Sequence, residues 1–332
     1  MPHQAASSPS IPTIDIAPLF GGNQRDVDHI AESIADACKT VGFFTVVNHG
    51  IAPALIDSMF QESKNFFARP LTEKMSISND KSPHMRGYFP VGAETPEYEA
   101  KGDLKEGFDM CSDLPPDDPD VLAGATLHGP NVWPPGLPGF KRTMTEYHAQ
   151  MLHLSRRLLA VFARGLGKPD DFFDDKLTKP LAQLRLLHYP PQHGPVSREQ
   201  MGCGEHTDYG TIALLSQDIE GLEILAKDGS WITVQQNPAA FIVNIGDLMA
   251  RWTNDRYVAN LHRVINASGR DRYSAAFFLD PDYHAKIECI DTCVSADAPG
   301  KYAPIIFGEY AEAKLDATFQ FRQAEPAAAV SA

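Results

Sequence analysis

No Cys-x-x-Cys pair occurs in this chain, and its five cysteines (Cys38, Cys111, Cys203, Cys289 and Cys293) are odd in number and scattered. That distribution excludes a disulfide framework and a cysteine-built zinc site, so reduced thiols and a cytoplasmic location are expected. No apolar run approaches the length needed to cross a bilayer. The first residues, MPHQAASSPS, lack the basic and apolar regions of a signal peptide. No membrane partner is therefore expected. Basic charge is also scarce: 29 Lys and Arg stand against 43 Asp and Glu, a formal charge of −14. Such a surface repels phosphate backbones, so nucleic acid is not an expected partner. No internal repeat and no convincing nucleophile motif is present.

What remains is ordinary globular material. The 332 residues are 43% hydrophobic and 22% charged, enough for one large core or two smaller ones. Residues 1–10 and the tail from Gln323 are small, polar or Ala-rich and are expected to fray. Val27, Ile30, Ile34 and Cys38 recur at helical spacing, with Gly42 as a stop. Phe43 to Val47 reads as a strand, and Ile56, Met59, Phe60, Ser63 and Phe67 outline a helix after Pro53. From Lys81 to Pro138 the chain is rich in Pro, Gly and Asp, and long loops are expected. The stripe from Phe140 through Met151 to Phe162 predicts a long buried helix ending near Gly165 or Gly167.

Beyond it, short strands follow one another: Gln183–Tyr189, Thr211–Ser216, Leu222–Ala226, Trp231–Gln235, Phe241–Ile245, Leu261–Ile265 and Arg272–Leu279. Asp228-Gly229 marks a hairpin between two of them. Many short strands without intervening helices predict an antiparallel double sheet. The expected fold class is mixed α+β: a double-stranded β-helix (jelly-roll) core with a helical N-terminal region packed around it. The expected divisions are residues 11–135 (N-terminal region), 136–180 (support helix and connection), 181–285 (jelly-roll core) and 286–332 (C-terminal segment and tail).

The informative segment is Glu205-His206-Thr207-Asp208-Tyr209-Gly210. In an extended stretch, side chains two apart point to one side, so His206 and Asp208 can converge on one ion. His262, on a distant strand, is the best third ligand. Two imidazoles and one carboxylate cap one face of an octahedral ion and leave positions open, which suits iron(II) oxygenases. A His-x-Asp pair alone is common by chance, and most histidines in a chain are surface or core residues. Arg272 and Ser274 alternate to one face of the next strand, where a guanidinium fork and a hydroxyl make a carboxylate receptor.

These residues, with Ile11-Pro12-Thr13-Ile14-Asp15, Gly42-Phe43-Phe44, Asn48-His49-Gly50-Ile51, Tyr189-Pro190-Pro191, Asn244-Ile245-Gly246-Asp247, Trp252-Thr253-Asn254 and His262-Arg263-Val264, extend over most of the chain in order. In them the sequence resembles the isopenicillin N synthase-like 2-oxoglutarate/iron(II) dioxygenases. The resemblance implies iron held by His206, Asp208 and His262. It implies that Arg272 and Ser274 bind the distal carboxylate of 2-oxoglutarate, with Tyr189 contacting the same co-substrate. It also implies use of O₂, with succinate and CO₂ released as a small-molecule substrate is hydroxylated, desaturated or cyclised. No catalytic side chain beyond the metal ligands is required. Asn48-His49-Gly50 is read as structural, Asn244 to Asp247 as a strand-end turn, and Trp252 as core.

One position departs from the pattern. Leu187 stands where plant members usually carry Asn, so one polar contact to the co-substrate is expected to be missing. Arg185, further back on the same face, contributes elsewhere or is simply a surface residue. An oxidase that uses Fe(2+) and O₂ without 2-oxoglutarate, its Arg-Ser pair binding substrate, is the alternative enzyme. A non-catalytic ligand-binding protein on the same fold is the alternative from another class. Substrate walls are expected from Tyr88, Phe108 and Phe277, with Phe89, Met110 and Leu279 as further candidates, in a monomer or weak homodimer.

Overall fold

Strand alternation creates two apolar layers, and the site lies in the smaller one. The computed structural model describes residues 11–94, 102–192 and 201–318; the expected frayed ends lie outside them. In chain order the strands are β1 (Thr13–Asp15), β2 (Phe43–Val47), β3 (Gly87–Phe89), β4 (Glu106–Met110), β5 (Pro180–Tyr189), β6 (Cys203–His206), β7 (Ile212–Gln217), β8 (Leu222–Leu225), β9 (Trp231–Thr233), β10 (Ala240–Ile245), β11 (His262–Val264), β12 (Arg272–Asp282), β13 (Lys286–Ile287) and β14 (Ile305–Ile306). The helices are α1 (Gln24–Thr40), α2 (Pro53–Phe67), α3 (Leu71–Met75), α4 (Pro119–Leu122), α5 (Pro138–Gly165), α6 (Asp247–Trp252) and α7 (Phe307–Thr318).

The major sheet has the order β1-β2-β10-β7-β12-β5-β4-β3, and the minor sheet β6-β11-β8-β9. This is the jelly-roll core with helices around it. Both edges of the major sheet come from the N-terminal region, so that region and the barrel share one hydrogen-bonded sheet. One face of the major sheet, carrying Phe44, Val46, Leu184, Leu186, Leu214, Phe241, Phe277 and Leu279, packs under the helices in the large core. The other face joins the minor sheet in a second cluster that includes Phe43, Leu187, Tyr189, Leu222, Ile224 and Val264.

Local sequence explains the helices that support this frame. Asn23 caps α1 by accepting from the Asp26 amide at 3.1 Å, and Ile30, Ile34 and Cys38 are buried along one stripe. Gly42 then turns with φ 73°, and a Cβ there would meet the Val258 carbonyl at 2.0 Å. Helix α5 buries Phe140, Met144, Tyr147, Met151, Leu158 and Phe162 at the expected spacing. It is tied to the sheet where His148 Nε2 donates to the Ala182 carbonyl at 2.8 Å. Among the described residues no helix is long and apolar enough to cross a membrane. All five cysteines are free.

The long-loop expectation for Lys81 to Pro138 needs correction, because β3 and β4 lie inside it. Glu-Gly-Phe-Asp-Met conceals β4: its two acidic residues read as solvent-facing, yet both are buried. Partners make that possible. Glu106 accepts from Lys74 at 2.7 Å, from Tyr88 at 2.6 Å and from His188 at 2.7 Å, and Asp109 takes both prongs of Arg185 at 2.8 Å. The C-terminal segment also holds a helix, α7, for which the sequence alone raises no expectation.

Candidate metal centre and cavity

β11 lies beside β6 in antiparallel register with His262 opposite His206, which brings two distant imidazoles together. The ring centroids are 4.2 Å apart. Both Nε2 atoms lie 3.6 Å from Oδ1 of Asp208, and the three ligand atoms fall within 4.8 Å of one another. Each ring turns its other nitrogen to backbone: Nδ1 of His206 to the Gly204 carbonyl at 2.8 Å, and Nδ1 of His262 to the Asn260 carbonyl at 3.2 Å. In a neutral imidazole, donation through Nδ1 leaves Nε2 with its lone pair toward the shared space. Burial, with His206 alongside, lowers His262 to about 4, so that ring is neutral at ordinary pH.

Asp208 is oriented from behind. Asn244, at the end of β10, donates from Nδ2 to Asp208 Oδ2 at 2.6 Å, leaving Oδ1 toward the histidines. The backbone of the next residues seals the loop: the Asp247 amide donates to the Asp208 carbonyl at 2.7 Å. A Cβ on Gly246 would sit 2.1 Å from the Gly210 carbonyl. Asn244 to Asp247 is therefore a strand end leading into α6, and it also fixes the Asp208 carboxylate. The turn is legible in the sequence; the role of Asn244 is not.

Arg272 lies deeper in the barrel and is fully buried. Its Nη2 donates to Gln217 Oε1 at 2.8 Å, and its guanidinium stands 4.6 Å from the Tyr189 ring centroid. Nε and Nη1 have no partner among the described residues. Buried donors left open are costly, so this arrangement fits an anion that would complete the cluster. Ser274 is buried on the same face of β12. Gly221 makes room, since a Cβ there would lie 2.8 Å from Arg272 Nε. Gln217 and Gly221 carry no signal of their own in the sequence. Leu187, two residues before Tyr189, also faces the barrel interior and pairs with Ser274 in register.

A cavity of about 1150 Å³, counting its open mouth, reaches His206 and Asp208. Its apolar wall includes Met85, Leu181 and Phe278, and α7 contributes Phe307, Tyr310 and Leu315. Tyr310 ties α7 to the metal loop by donating to the Tyr209 carbonyl at 3.1 Å. The charged wall is mostly paired. Arg185 is partly buried and binds Glu94 at 2.8 Å as well as Asp109, while Lys105 meets Glu94 at 3.0 Å and also Asp103. Burial alone would raise Glu94, yet Arg185 and Lys105 bring it down to about 2. Arg185 is thus neither a surface residue nor part of the Arg272 cluster.

The expected substrate residues are placed elsewhere. Tyr88, Phe108 and Phe277 are buried in the large core under the helices, as are Met110 and Leu279. Phe66 packs edge-on against both Phe108 and Tyr88 there, with centroids 5.3 and 6.2 Å apart. The reason is the two-residue period: on β12 and β4 the neighbours Phe278 and Asp109 face the cavity instead. Phe89 faces the barrel interior, with Arg185 5.0 Å above its ring.

Fold and site together define a jelly-roll protein with a facial two-histidine, one-carboxylate cluster. Two family models match: "non-haem dioxygenase in morphine synthesis N-terminal" over residues 11–136, and "2OG-Fe(II) oxygenase superfamily" over residues 180–281. A 2-oxoglutarate-Fe(II) type oxidoreductase of Emericella nidulans is 38% identical over 304 residues, 89% of this chain and 86% of that protein. A homoarginine-6-hydroxylase of Oryza sativa is 33% identical over 326 residues, covering 93% of this chain and 98% of that one. A solved full-length Neurospora crassa protein in complex with alpha-KG matches with a TM-score of 0.83 and 31% identity, over 92% of this chain and 96% of that one. The chain belongs to the 2OG-Fe(II) oxygenase superfamily. It is a 2-oxoglutarate-dependent dioxygenase that uses Fe(2+), 2-oxoglutarate and O₂.

Proposed function

We propose that His206, Asp208 and His262 hold the iron, that Arg272, Ser274 and Tyr189 receive the far carboxylate of 2-oxoglutarate, and that the cavity walled by Phe278 and α7 takes a small-molecule substrate. The observation that carries this reading is Arg272, buried with two guanidinium nitrogens unpartnered among the described residues. The bound iron, with 2-oxoglutarate and O₂, supplies the oxidising equivalents for C–H oxidation, by hydroxylation, desaturation or cyclisation. The chain's own residues bind, orient and exclude water. The backbone carbonyls of Gly204 and Asn260 hold the imidazole tautomers, and Asn244 fixes the free oxygen of Asp208. Arg272 lies outside the cavity lining, while His206 and Asp208 are part of it, so the co-substrate would reach from Arg272 toward the metal ligands at the cavity's edge.

We also infer a cytoplasmic enzyme, monomeric or weakly dimeric, with the divisions 11–135, 136–180, 181–285 and 286–332. The free cysteines and the boundaries between helical and strand-rich segments support that reading.

Anaerobic protein loaded with iron(II) tests the assignment. Adding 2-oxoglutarate should produce a weak visible charge-transfer band, and admitting O₂ with a substrate should release succinate. Replacing His206, Asp208 or His262 with Ala should abolish both while leaving the melting transition cooperative. A variant that keeps the band and the turnover removes its residue from the metal site.

A further inference from the structure

The carboxylates in the cavity wall are not equally provided for. Glu94 and Asp109 are each matched by Arg185 at 2.8 Å, and Asp103 is paired with Lys105. Arg86 turns Nη1 and Nη2 to the carbonyls of His84 and Leu127, with Nε unpartnered among the described residues, and Lys314 pairs with Asp247 at 3.4 Å. Asp280 has no lysine, arginine or histidine against it among the described residues, although it is only 8% exposed. The Thr211 amide donates to its Oδ1 at 2.5 Å. The carboxylate packs on Gly210, where a Cβ would lie 2.4 Å from Oδ1 and 2.6 Å from Oδ2. Asp280 therefore lines the cavity beside the loop that follows Asp208. A buried carboxylate without a cation is costly to keep charged, and a cavity-facing one can be completed from the cavity.

We propose that Asp280 is a specificity-determining residue that binds an ammonium or N–H group of the substrate, which makes the substrate a small nitrogenous molecule. This rests on the reading that the cavity takes the substrate. On β12, Arg272 and Asp280 share one face at opposite ends of the interior row, eight residues and roughly 26 Å apart at about 3.3 Å per residue. One end anchors the anionic co-substrate and the other anchors a donor on the molecule to be oxidised. Phe278, between them and next to Asp280 on that face, offers the apolar wall for the carbon skeleton. The charge pattern discriminates as well as attracts: a carboxylate on the substrate near Asp280 would meet repulsion, with no cation paired to Asp280 among the described residues to offset it.

The test uses paired probes: benzylamine against benzyl alcohol and benzoate, piperidine against tetrahydropyran, and 2-piperidone against δ-valerolactone. Binding is read as thermal stabilisation of the anaerobic iron(II)–2-oxoglutarate protein, and turnover as probe-dependent succinate release. Nitrogen-bearing members should stabilise and stimulate more than their oxygen counterparts. Asp280→Asn can keep the Thr211 bond through its carbonyl while turning an amide donor toward the cavity. It should cut kcat/KM for the best nitrogenous probe about ten- to a hundredfold, the loss expected for one charge-assisted hydrogen bond. Asp280→Glu should retain the preference for nitrogen. Oxygen counterparts acting equally well, no nitrogenous probe acting at all, or an unchanged nitrogen preference in Asp280→Asn would each overturn the proposal. Failure of the underlying reading shows separately, as absence of the 2-oxoglutarate band in the wild-type protein.

Discussion

The two faces of β12 are built from alternate residues of one strand and follow opposite rules. Toward the helices it presents Tyr273, Ala275, Phe277 and Leu279. Phe277 is fully buried and meets His148 edge-on with centroids 5.3 Å apart, and Tyr273 stacks on His188 at 4.7 Å. The charged groups on that side are paired: Glu106 accepts from Lys74, Tyr88 and His188. Toward the barrel interior the same strand presents Arg272, Ser274, Ala276, Phe278 and Asp280. Here, among the described residues, Arg272 has open donors and Asp280 has no cation. The comparison separates stability from function within eleven residues. The charged groups of the helix face find partners within the protein, whereas on the barrel face, among the described residues, Arg272 and Asp280 leave polar atoms that a ligand could meet.

The largest effect expected from breaking this comparison is on the helix face. Phe277→Ala removes a fully buried ring from the large core and should cost about 3–5 kcal/mol of unfolding free energy. Because the ring points away from the cavity, the affinity for 2-oxoglutarate of the protein that remains folded should stay within about twofold. Urea unfolding and anaerobic titration of the charge-transfer band measure the two quantities. A substrate or co-substrate defect without loss of stability would place Phe277 back in the site.

Arg272→Lys on the other face should reverse the ratio. A lysine retains the charge but cannot reproduce the planar fork, and the loss of one charge-assisted hydrogen bond is worth roughly 1.5–3 kcal/mol, about ten- to a hundredfold in 2-oxoglutarate affinity. Stability of the ligand-free protein should hardly fall, because the wild-type guanidinium already leaves Nε and Nη1 unpartnered among the described residues. An unchanged 2-oxoglutarate titration would mean that the open donors serve another anion.

Legibility from the sequence followed the same division. Long periodic elements were readable: β2 and α5 stand where apolar spacing put them, and His206, Asp208 and His262 meet as the alternation and the family resemblance implied. The face to which a strand residue points was not readable. Tyr88, Phe108 and Phe277 are aromatic and sit on strands near the site, but a one-residue offset sends each to the helices. Residues whose role depends on a distant partner gave no local signal either. Asn244 acts through Asp208, 36 positions away, and β4 was hidden because Glu106 and Asp109 are buried only by virtue of Lys74 and Arg185.

Leu187 sharpens the comparison most finely, because it is an apolar residue on the face where polar ones are left open. It is 7% exposed, between Arg185 and Tyr189 on the interior side of β5, and opposite Ser274. Leu187→Asn introduces an amide beside the proposed carboxylate site. With 2-oxoglutarate bound, that amide can donate to the co-substrate, a net gain of about 0.5–1.5 kcal/mol for an ordinary hydrogen bond, or a few-fold to about tenfold in affinity. Without the co-substrate the same amide is buried among Phe89, Tyr189 and Leu222, so the ligand-free protein should lose about 1–3 kcal/mol. The two effects predict a distinctive pattern: a lower melting temperature alone, and a larger stabilisation on adding 2-oxoglutarate than wild type shows. Thermal melts with and without 2-oxoglutarate, in anaerobic iron(II)-loaded protein, read both. A drop in stability with no gain in co-substrate stabilisation would show that position 187 faces the barrel packing and not the co-substrate. It would leave Arg272 and its two neighbours as the whole of the receptor.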